Sequence, residues 1–506
     1  MNKNGYLSFF TFCWLAVIGS YSSAQIKQSA SERTSVDLTI YNQNIALVRE
    51  ERTIDLLKGM NRIVIPDIPA TIDGTSLHFS SLTNPDAVKV IEQNYQYDLV
   101  HQAKLMEKYI GKEVEFIRTD VESKKDYSVK GTLLASGWQP QPNYNPYGGN
   151  APYFMTGQMI AEINGKIEIS PAGRLILPSL PEGLILKPQL EWLVINSKQG
   201  EHKTEISYLA GQLTWSCNYV ALLDAHDAQI DLTGWVTVIN NSGTTFKNAG
   251  LKLVAGDVNL VKEEQAGYAM RKSDMMEASA AAPQFQQKEL FEYKLYSLQR
   301  KTDISNNETK QIELTSAKNI SAKTVFIYDG LSSQWRYWSN NYSYREQGSF
   351  GQQSNKKIGV FVTFKNEEKA GLGIALPKGK VRVYKRDGDG KEQFVGEDEI
   401  DHTPKDEEIK LYLGNAFDIV GEHTQQNFRV IVPGHVVDET FEIKVRNHKS
   451  DPVEVMVYEH PWRWNEWDIT KSNTPWEKVD QTTIKFPVKL KKDEEKVITY
   501  TIRYNW

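Results

Sequence analysis

Phe441-Glu442-Ile443-Lys444-Val445-Arg446 alternates apolar and charged side chains without a break, and Val453, Val455 and Val457 take up the same alternation after a gap. A period of two places every second side chain on one face of an extended chain, so the stretch predicts two strands with one face buried. The gap, Asn447-His448-Lys449-Ser450-Asp451-Pro452, is dense in turn residues. Downstream, Ile484, Phe486, Val488 and Leu490 continue the pattern, and Val497 to Tyr504 ends it. Upstream, Val360, Val362 and Phe364, then Val381 and Val383, then Ile409, Leu411 and Leu413 alternate in the same way. The last two hundred residues therefore read as sheet.

The same period runs toward the N-terminus. Val36, Leu38 and Ile40 are in phase, Ile54 and Leu56 follow, and Lys58-Gly59 turns the chain into Ile63 and Ile65. Pro66 and Pro69 close that series, because proline cannot donate to a ladder. Ile230, Leu232, Val236 and Val238 share a face, as do Leu251 and Leu253. One helix is expected: Asp98 can cap Leu99 to Ile110, with Gly111 after its end. Five short strands follow it, at Val114–Ile117, Val129–Leu134, Gln158–Glu162, Lys166–Ile169 and Leu175–Leu177, the content of a small SH3-like barrel or compact meander. Trp138 to Pro152 is rich in Pro, Asn and Gly and reads as an extended loop, and Lys262 to Gln287 as a flexible one.

One arrangement recurs. Val236–Asn240, Val360–Asn366 and Ile443–Asn447 each end an alternating strand on Asn, followed by a polar turn and another strand. Ig-like sandwiches turn strand-to-strand corners in this manner. The fold class expected is mainly β and multidomain: β-sandwich (Ig-like) units, a small inserted SH3-like barrel, and one or two short helices. The expected divisions are a signal peptide at 1–24, an N-terminal β region at 25–97, and the helix with its barrel-like insert at 98–187. A sandwich at 188–318 and a C-terminal sandwich at 319–506 complete the chain.

Composition limits function. In 506 residues 40% are hydrophobic and 24% charged, with 59 Lys+Arg against 64 Asp+Glu, which excludes a disordered, collagen-like or polytopic membrane chain. The net charge of −5 and the lack of a long Lys/Arg run argue against nucleic acid as a partner. Lys3, an apolar run from Tyr6 to Ile18, and small residues at Ser22 and Ala24 form an export signal with cleavage expected after Ala24. About a dozen apolar residues are too few to span a bilayer, and Cys13 inside the run does not suit a lipid-attachment site. Cys217 is the one cysteine beyond that signal, so no internal disulfide is expected, and its strand-like setting reads as a buried thiol. The address expected is the periplasm, with release from the cell as the other possibility.

Thr39-Ile40-Tyr41-Asn42-Gln43-Asn44-Ile45-Ala46-Leu47-Val48-Arg49, Ile206–Leu209 with Trp215 and Tyr219, and Gly234–Asn240 form one set of sequence blocks. Val381–Lys385, Gly396–Pro404 and Arg446–Lys449 form another. Together they resemble an exported bacterial family that carries the uncharacterised domain of unknown function 4139, with mucoidy inhibitor A-like relatives. The resemblance runs over nearly all of the chain beyond residue 24. It implies export, a β-rich fold and a link to the envelope or its surface polysaccharide. No catalytic residue is carried over from it.

The residues supply no familiar catalytic spacing. Gly-x-Ser-x-Gly, His-Glu-x-x-His, the phosphate-binding glycine loop and Cys-x-x-Cys are all missing. Ser354-Asn355-Lys356-Lys357 fits Ser-x-x-Lys in form only, since it lies in a Gln/Gly/Asn loop. Asp387-Gly388-Asp389-Gly390 lacks the later ligands of a calcium loop and reads as a hairpin turn, and Glu397 to His402 as a solvated charge run. No catalytic, cofactor or metal residue is assigned, and no cofactor is expected. The aromatic clusters are the lead: Trp335, Trp338 and Tyr342 in one, Trp462 and Trp464 in the other. Indoles beside Arg and Asn can stack on sugar rings or anchor a protein. The expectation is an envelope protein that binds a surface glycan or a partner protein, or serves as a scaffold. The alternative is a carboxylate-based hydrolase of envelope polysaccharide, whose acid pair need only meet in space.

Overall fold

The computed structural model describes residues 27–29, 33–96, 99–141, 153–181, 183–256, 258–259, 284–290, 293–331, 334–339, 342–348 and 355–506. The proposed signal peptide, most of the loop after Trp138 and most of the 262–287 loop lie outside them. The chain is mainly β, in several separate sheets, and divides into two discontinuous units. No described helix is long and apolar enough to cross a membrane.

The first unit holds residues up to Ser35 and Arg49–Tyr208. Its four-stranded sheet centres on Gly59–Pro66 and Gln189–Asn196, antiparallel with Ile63 opposite Trp192 and Ile65 opposite Leu190. These four side chains are fully buried, as the alternation demands. Lys27–Ser29 adds in parallel on one side and Val88–Gln96 antiparallel on the other. Near this sheet Glu50, fully buried, holds Arg33 at 2.5 Å and Arg52 at 3.2 Å. Such charges persist in an interior because they are paired.

The insert within this unit starts and ends at a bridge between Leu99 and Ile185. Its helix runs Gln102–Tyr109, starting three residues later than the sequence suggested, with the His101 ring capping it by accepting from the Lys104 N–H; Asp98, the cap expected from sequence, lies outside the described residues. Gly111 follows in the left-handed region (φ 79°), as a helix stop requires. The five expected strands appear at Glu113–Thr119, Asp126–Ala135, Ile160–Ile163, Lys166–Ile169 and Arg174–Ile176. In sheet order the fifth lies beside the first and the fourth at the opposite edge. That order suits a small barrel, but the fourth and fifth strands do not pair, so the sheet stays open. Arg118 nonetheless reaches Glu168 at 2.5 Å, a link from the first strand to the fourth. Met106, Tyr109, Phe116, Leu133 and Ile163 fill its core. The stretch read as an extended loop opens as a ladder instead, Trp138–Gln141 pairing with Tyr153–Thr156.

The second unit comprises Val36–Val48 and Leu209–Trp506. Leu213–Leu223 pairs antiparallel with Gln229–Asn240, and Phe246–Ala255 pairs in parallel with Ser35–Tyr41. Trp215 joins the two layers: its indole N–H donates to the Val254 carbonyl at 3.2 Å, and its ring meets Tyr296 edge-on. Glu308–Asp329 is one 22-residue strand that pairs first with Gln229–Asn240 and then with Lys357–Lys365. The division expected at 318/319 falls inside it, beside Asn319 at φ 57°. Glu408–Val432 changes partners likewise, from Lys357–Lys365 to Val436–Asn447. The C-terminal sandwich sets Val436–Asn447 and Glu495–Asn505 against Val453–Glu459 and Thr483–Leu490. Phe441, Ile443, Val445, Val455, Val457, Phe486 and Tyr500 lie in its core.

The recurring asparagines are the corners. Asn240, Asn366 and Asn447 are fully buried. The Asn447 amide donates to the carbonyls of Asp451 (2.9 Å) and Lys491 (3.0 Å) and accepts from Lys449 N–H at 3.0 Å. Asn240 donates to Thr244 (2.9 Å) and Ser305 (3.0 Å) and accepts from Ser242. Asn366 donates to Ile374 (2.8 Å) and Pro404 (2.7 Å) and accepts from Gly373. Asn196 repeats the device in the first unit with Leu57, Lys198 and the Lys198 N–H. Each side chain satisfies the backbone of its own turn and of a second, distant turn.

Two predictions follow from burial. Asn447→Ala removes a buried amide that bonds two turn carbonyls and the Lys449 N–H and should cost about 1–3 kcal/mol; thermal unfolding of the variant should show a midpoint lower by roughly 2–4 °C per kcal/mol. Cys217 sits between Val236 and Gly379 on neighbouring strands, and burial pushes its thiol up to about 12. A raised thiol pKa means that at pH 8 only about one molecule in ten thousand carries thiolate. In a chain lacking residues 1–24, which leaves Cys217 as the one cysteine, native protein should therefore resist an aromatic disulfide reagent, and one equivalent should react once denaturant is added.

Candidate functional site

The strands Glu308–Asp329 and Lys357–Lys365 are antiparallel neighbours, yet 27 residues separate them. The described parts of that excursion, Gln334–Ser339 and 342–348, form a strap on the C-terminal sandwich. Gln334–Ser339 is a short helix, and residues three apart on it share a side. Trp335 stacks on His460 with centroids 4.6 Å apart and planes 14° apart, while Trp338 lies 5.5 Å from Trp462. His460 in turn lies 3.3 Å from Asp329 and 3.2 Å from the Thr482 carbonyl. The structure thus brings together two aromatic clusters more than a hundred residues apart.

The second part of the strap is held by arginines. The Arg463 side chain, wholly buried, donates to the carbonyls of Tyr344 (2.6 Å) and Arg345 (3.2 Å) and pairs with Glu439 at 2.5 Å. Its guanidinium also lies over Trp462 at 4.4 Å and Phe428 at 4.7 Å. Arg345 covers Trp464 at 3.9 Å and approaches Trp506 at 5.9 Å. Glu346 accepts from the Gly434 N–H. Desolvation strengthens each of these cation–π contacts relative to a surface pair.

Five aromatics were singled out as ligand-facing in sequence. Trp462 is 5% exposed and sandwiched between Trp338 and Arg463, so it supports the strap from beneath and offers no ring face. Trp464 is half-buried under Arg345, and Trp335 and Trp338 are half-buried with one side each against the sandwich. Tyr342 starts the turn Tyr342–Tyr344, and its side chain lies outside the described residues. The outward residues of the helix are Arg336, 5.3 Å over the Trp335 ring, and Tyr337, 72% exposed. Sequence reading missed Tyr337 as a candidate because it weighted indoles. The helical spacing of Trp335 and Trp338 was the available signal, since two braced aromatics three apart leave the residue between them outside.

Beneath the strap lies a buried polar group that sequence reading also passed over. Glu459 accepts from the Tyr500 hydroxyl at 2.5 Å and meets His423 at 3.1 Å, while Gln425 donates to Glu439 at 2.6 Å. Burial, then the neighbouring Glu459 charge, holds the Tyr500 hydroxyl well above the usual phenol range, so it stays a donor. Among the described residues Glu439 Oε2 and Glu459 Oε1 have no hydrogen-bond partner. The signal was present: Glu439 falls in phase with Val437, Phe441 and Ile443, and Glu459 with Val455 and Val457.

Elsewhere, Asp387–Gly390 is a hairpin turn, closed by Asp387 N–H to Lys391 at 2.7 Å. The Glu397–His402 run forms a surface ladder, Glu397 pairing with Lys380 and Arg382, and Glu399 with Lys378. Among the described residues no group of three His, Cys, Asp or Glu side chains could hold a metal ion. No protein-family model matches the chain, and no curated protein matches it.

Arg463→Ala leaves Glu439 buried without its cation and should cost about 3–5 kcal/mol. Limited trypsinolysis should then cut at Arg336 or Arg345 faster than in the parent protein. Adding Glu439→Gln to that variant should recover part of the lost stability.

Proposed function

We propose that this chain is an exported envelope protein, periplasmic and related to the domain of unknown function 4139 family, that works by non-covalent binding. The ligand is a surface glycan or an envelope protein, and the binding surface is the outer side of the strap. The observation that carries this reading is Tyr337, 72% exposed beside Arg336 on a helix whose other two aromatics are braced against a rigid sandwich. An aromatic ring held in place loses little freedom on binding, and a guanidinium beside it can bond hydroxyls or carboxylates. The alternating strands and the leader-like first 24 residues support the setting.

A specific observation also supports a second reading. Glu439 and Glu459 are two buried carboxylates, each with one oxygen lacking a hydrogen-bond partner among the described residues, and paired carboxylates are the groups a carboxylate-based hydrolase uses. Arg463 stands between Glu439 and the strap, however, and His423 and Tyr500 already hold Glu459. A saccharide would have to displace those partners, which favours binding over hydrolysis.

The processed chain, with an N-terminus expected at Gln25, should be titrated with envelope polysaccharide fractions and with solubilised envelope proteins while tryptophan fluorescence is followed. Tyr337→Ala and Arg336→Ala should each weaken binding about tenfold, roughly 1.4 kcal/mol, without shifting the unfolding midpoint. Absence of binding to every fraction would sink the binding reading. Release of sugar from a polysaccharide, abolished by Glu439→Gln and Glu459→Gln, would replace it with the hydrolase.

A further inference from the structure

Among the described residues, one edge strand of the insert's sheet has no outer neighbour, and it carries a pattern that matches itself. Ile160–Ile163 and Lys166–Ile169 form a hairpin that turns through Asn164 and Gly165, at φ 50° and 71°. Two left-handed residues make the mirror-image turn that suits a two-residue hairpin, and such a turn closes on a hydrogen-bonded pair, here Ile163 and Lys166. Lys166 and Glu168 therefore direct their backbone groups toward the neighbouring strand. Consistently, Ser170 N–H continues the inward series by donating to Met159 at 2.7 Å. Ile167 and Ile169 direct theirs to the open side, since Lys166–Ile169 is an edge strand of its sheet.

The side chains are as unusual as the edge. Ile167 is 69% and Ile169 63% exposed, and they share a face with Ile160 and with Leu134, itself 39% exposed. Proteins blunt such edges with proline, bulges or inward charge. The strand Lys166-Ile167-Glu168-Ile169 contains no proline and no bulge against its partner. Its two charges, Lys166 and Glu168, lie on the face of buried Ile163 and Ala161, and being opposite in sign they repel a second copy only in a register that sets like against like.

We propose that this edge is a homodimer contact, in which two copies of Lys166–Ile169 pair antiparallel about a two-fold axis at Ile167. In that register Ile167 faces Ile167 of the partner subunit and the two exchange both backbone hydrogen bonds. Lys166 faces Glu168 of the partner subunit, twice by symmetry, while Glu168 keeps Arg118 on Oε2. The isoleucines of both copies form one apolar strip on the other face. Centring the axis on Glu168 instead would set two glutamates against each other, so charge selects the register. A two-fold contact closes on itself and yields a dimer, not a fibre.

Sedimentation velocity of the processed chain over a concentration series should show a mass rising from one chain to two. Ile167→Lys places two like charges on the axis and should leave a monomer throughout. Lys166→Glu should weaken the dimer roughly tenfold. Phe417→Ser, at a position 95% exposed on another strand, should leave it unchanged and so separates a specific contact from general stickiness. All three positions are exposed, and unchanged thermal midpoints would confirm intact folding. A single-chain mass at every concentration, or a dimer indifferent to Ile167→Lys, overturns the proposal.

Discussion

A strand that buries every second side chain must end where its own backbone groups are still out of reach of water. In this chain the ends are closed by asparagine. The side-chain amide is the smallest group that donates twice and accepts at once, so one residue can bond its own turn and a second turn together. Asn447 ties the corner at 447–451 to the turn beginning at Lys491, and Asn240 ties its corner to Ser305. Without those ties the sheets would still be amphipathic, but the ends of the layers would not be registered on one another. Alternation supplies the driving force, and the buried amides decide which corners meet.

The sequence revealed the strands well because their period is a local property. Ile443 and Ile498 or Val457 and Phe486 sit opposite one another because each belongs to a run whose phase can be read without knowing the partner. Partner exchange is different. Sequence reading placed a division inside Glu308–Asp329 and saw only Ile409 to Leu413 of Glu408–Val432, because nothing local says that the chain continues straight from one neighbour to the next. The helix start was misplaced for a related reason: Asp98 is the better cap by type, and His101 takes the role by position.

The site was legible in outline and not in its internal arrangement. Clustered Trp and Arg marked the right two segments, but which aromatic faces outward depends on what lies beneath. Trp462 is spent on Trp338 and Arg463, leaving Tyr337 as the exposed ring. Glu439 and Glu459 were visible as charges in an apolar phase. Their meaning required the third dimension, where Arg463, Gln425, Tyr500 and His423 converge on them.

Why the strap should be held by buried charge is an argument about uniqueness of seating. Indoles alone adhere to an apolar surface at many offsets of nearly equal energy, so a strap tied only by Trp335 and Trp338 would slide. Arg463 bonds two successive carbonyls and one carboxylate at once, which fixes position and orientation together. The pair gains little net stability over well-packed hydrocarbon, because both ions are removed from water. Its effect is to aim the buried guanidinium, so that any shift of the strap takes the Tyr344 and Arg345 carbonyls away from Arg463 and leaves its donors unmet. A fixed seat is what a surface aromatic such as Tyr337 needs if it is to meet a ligand in one geometry.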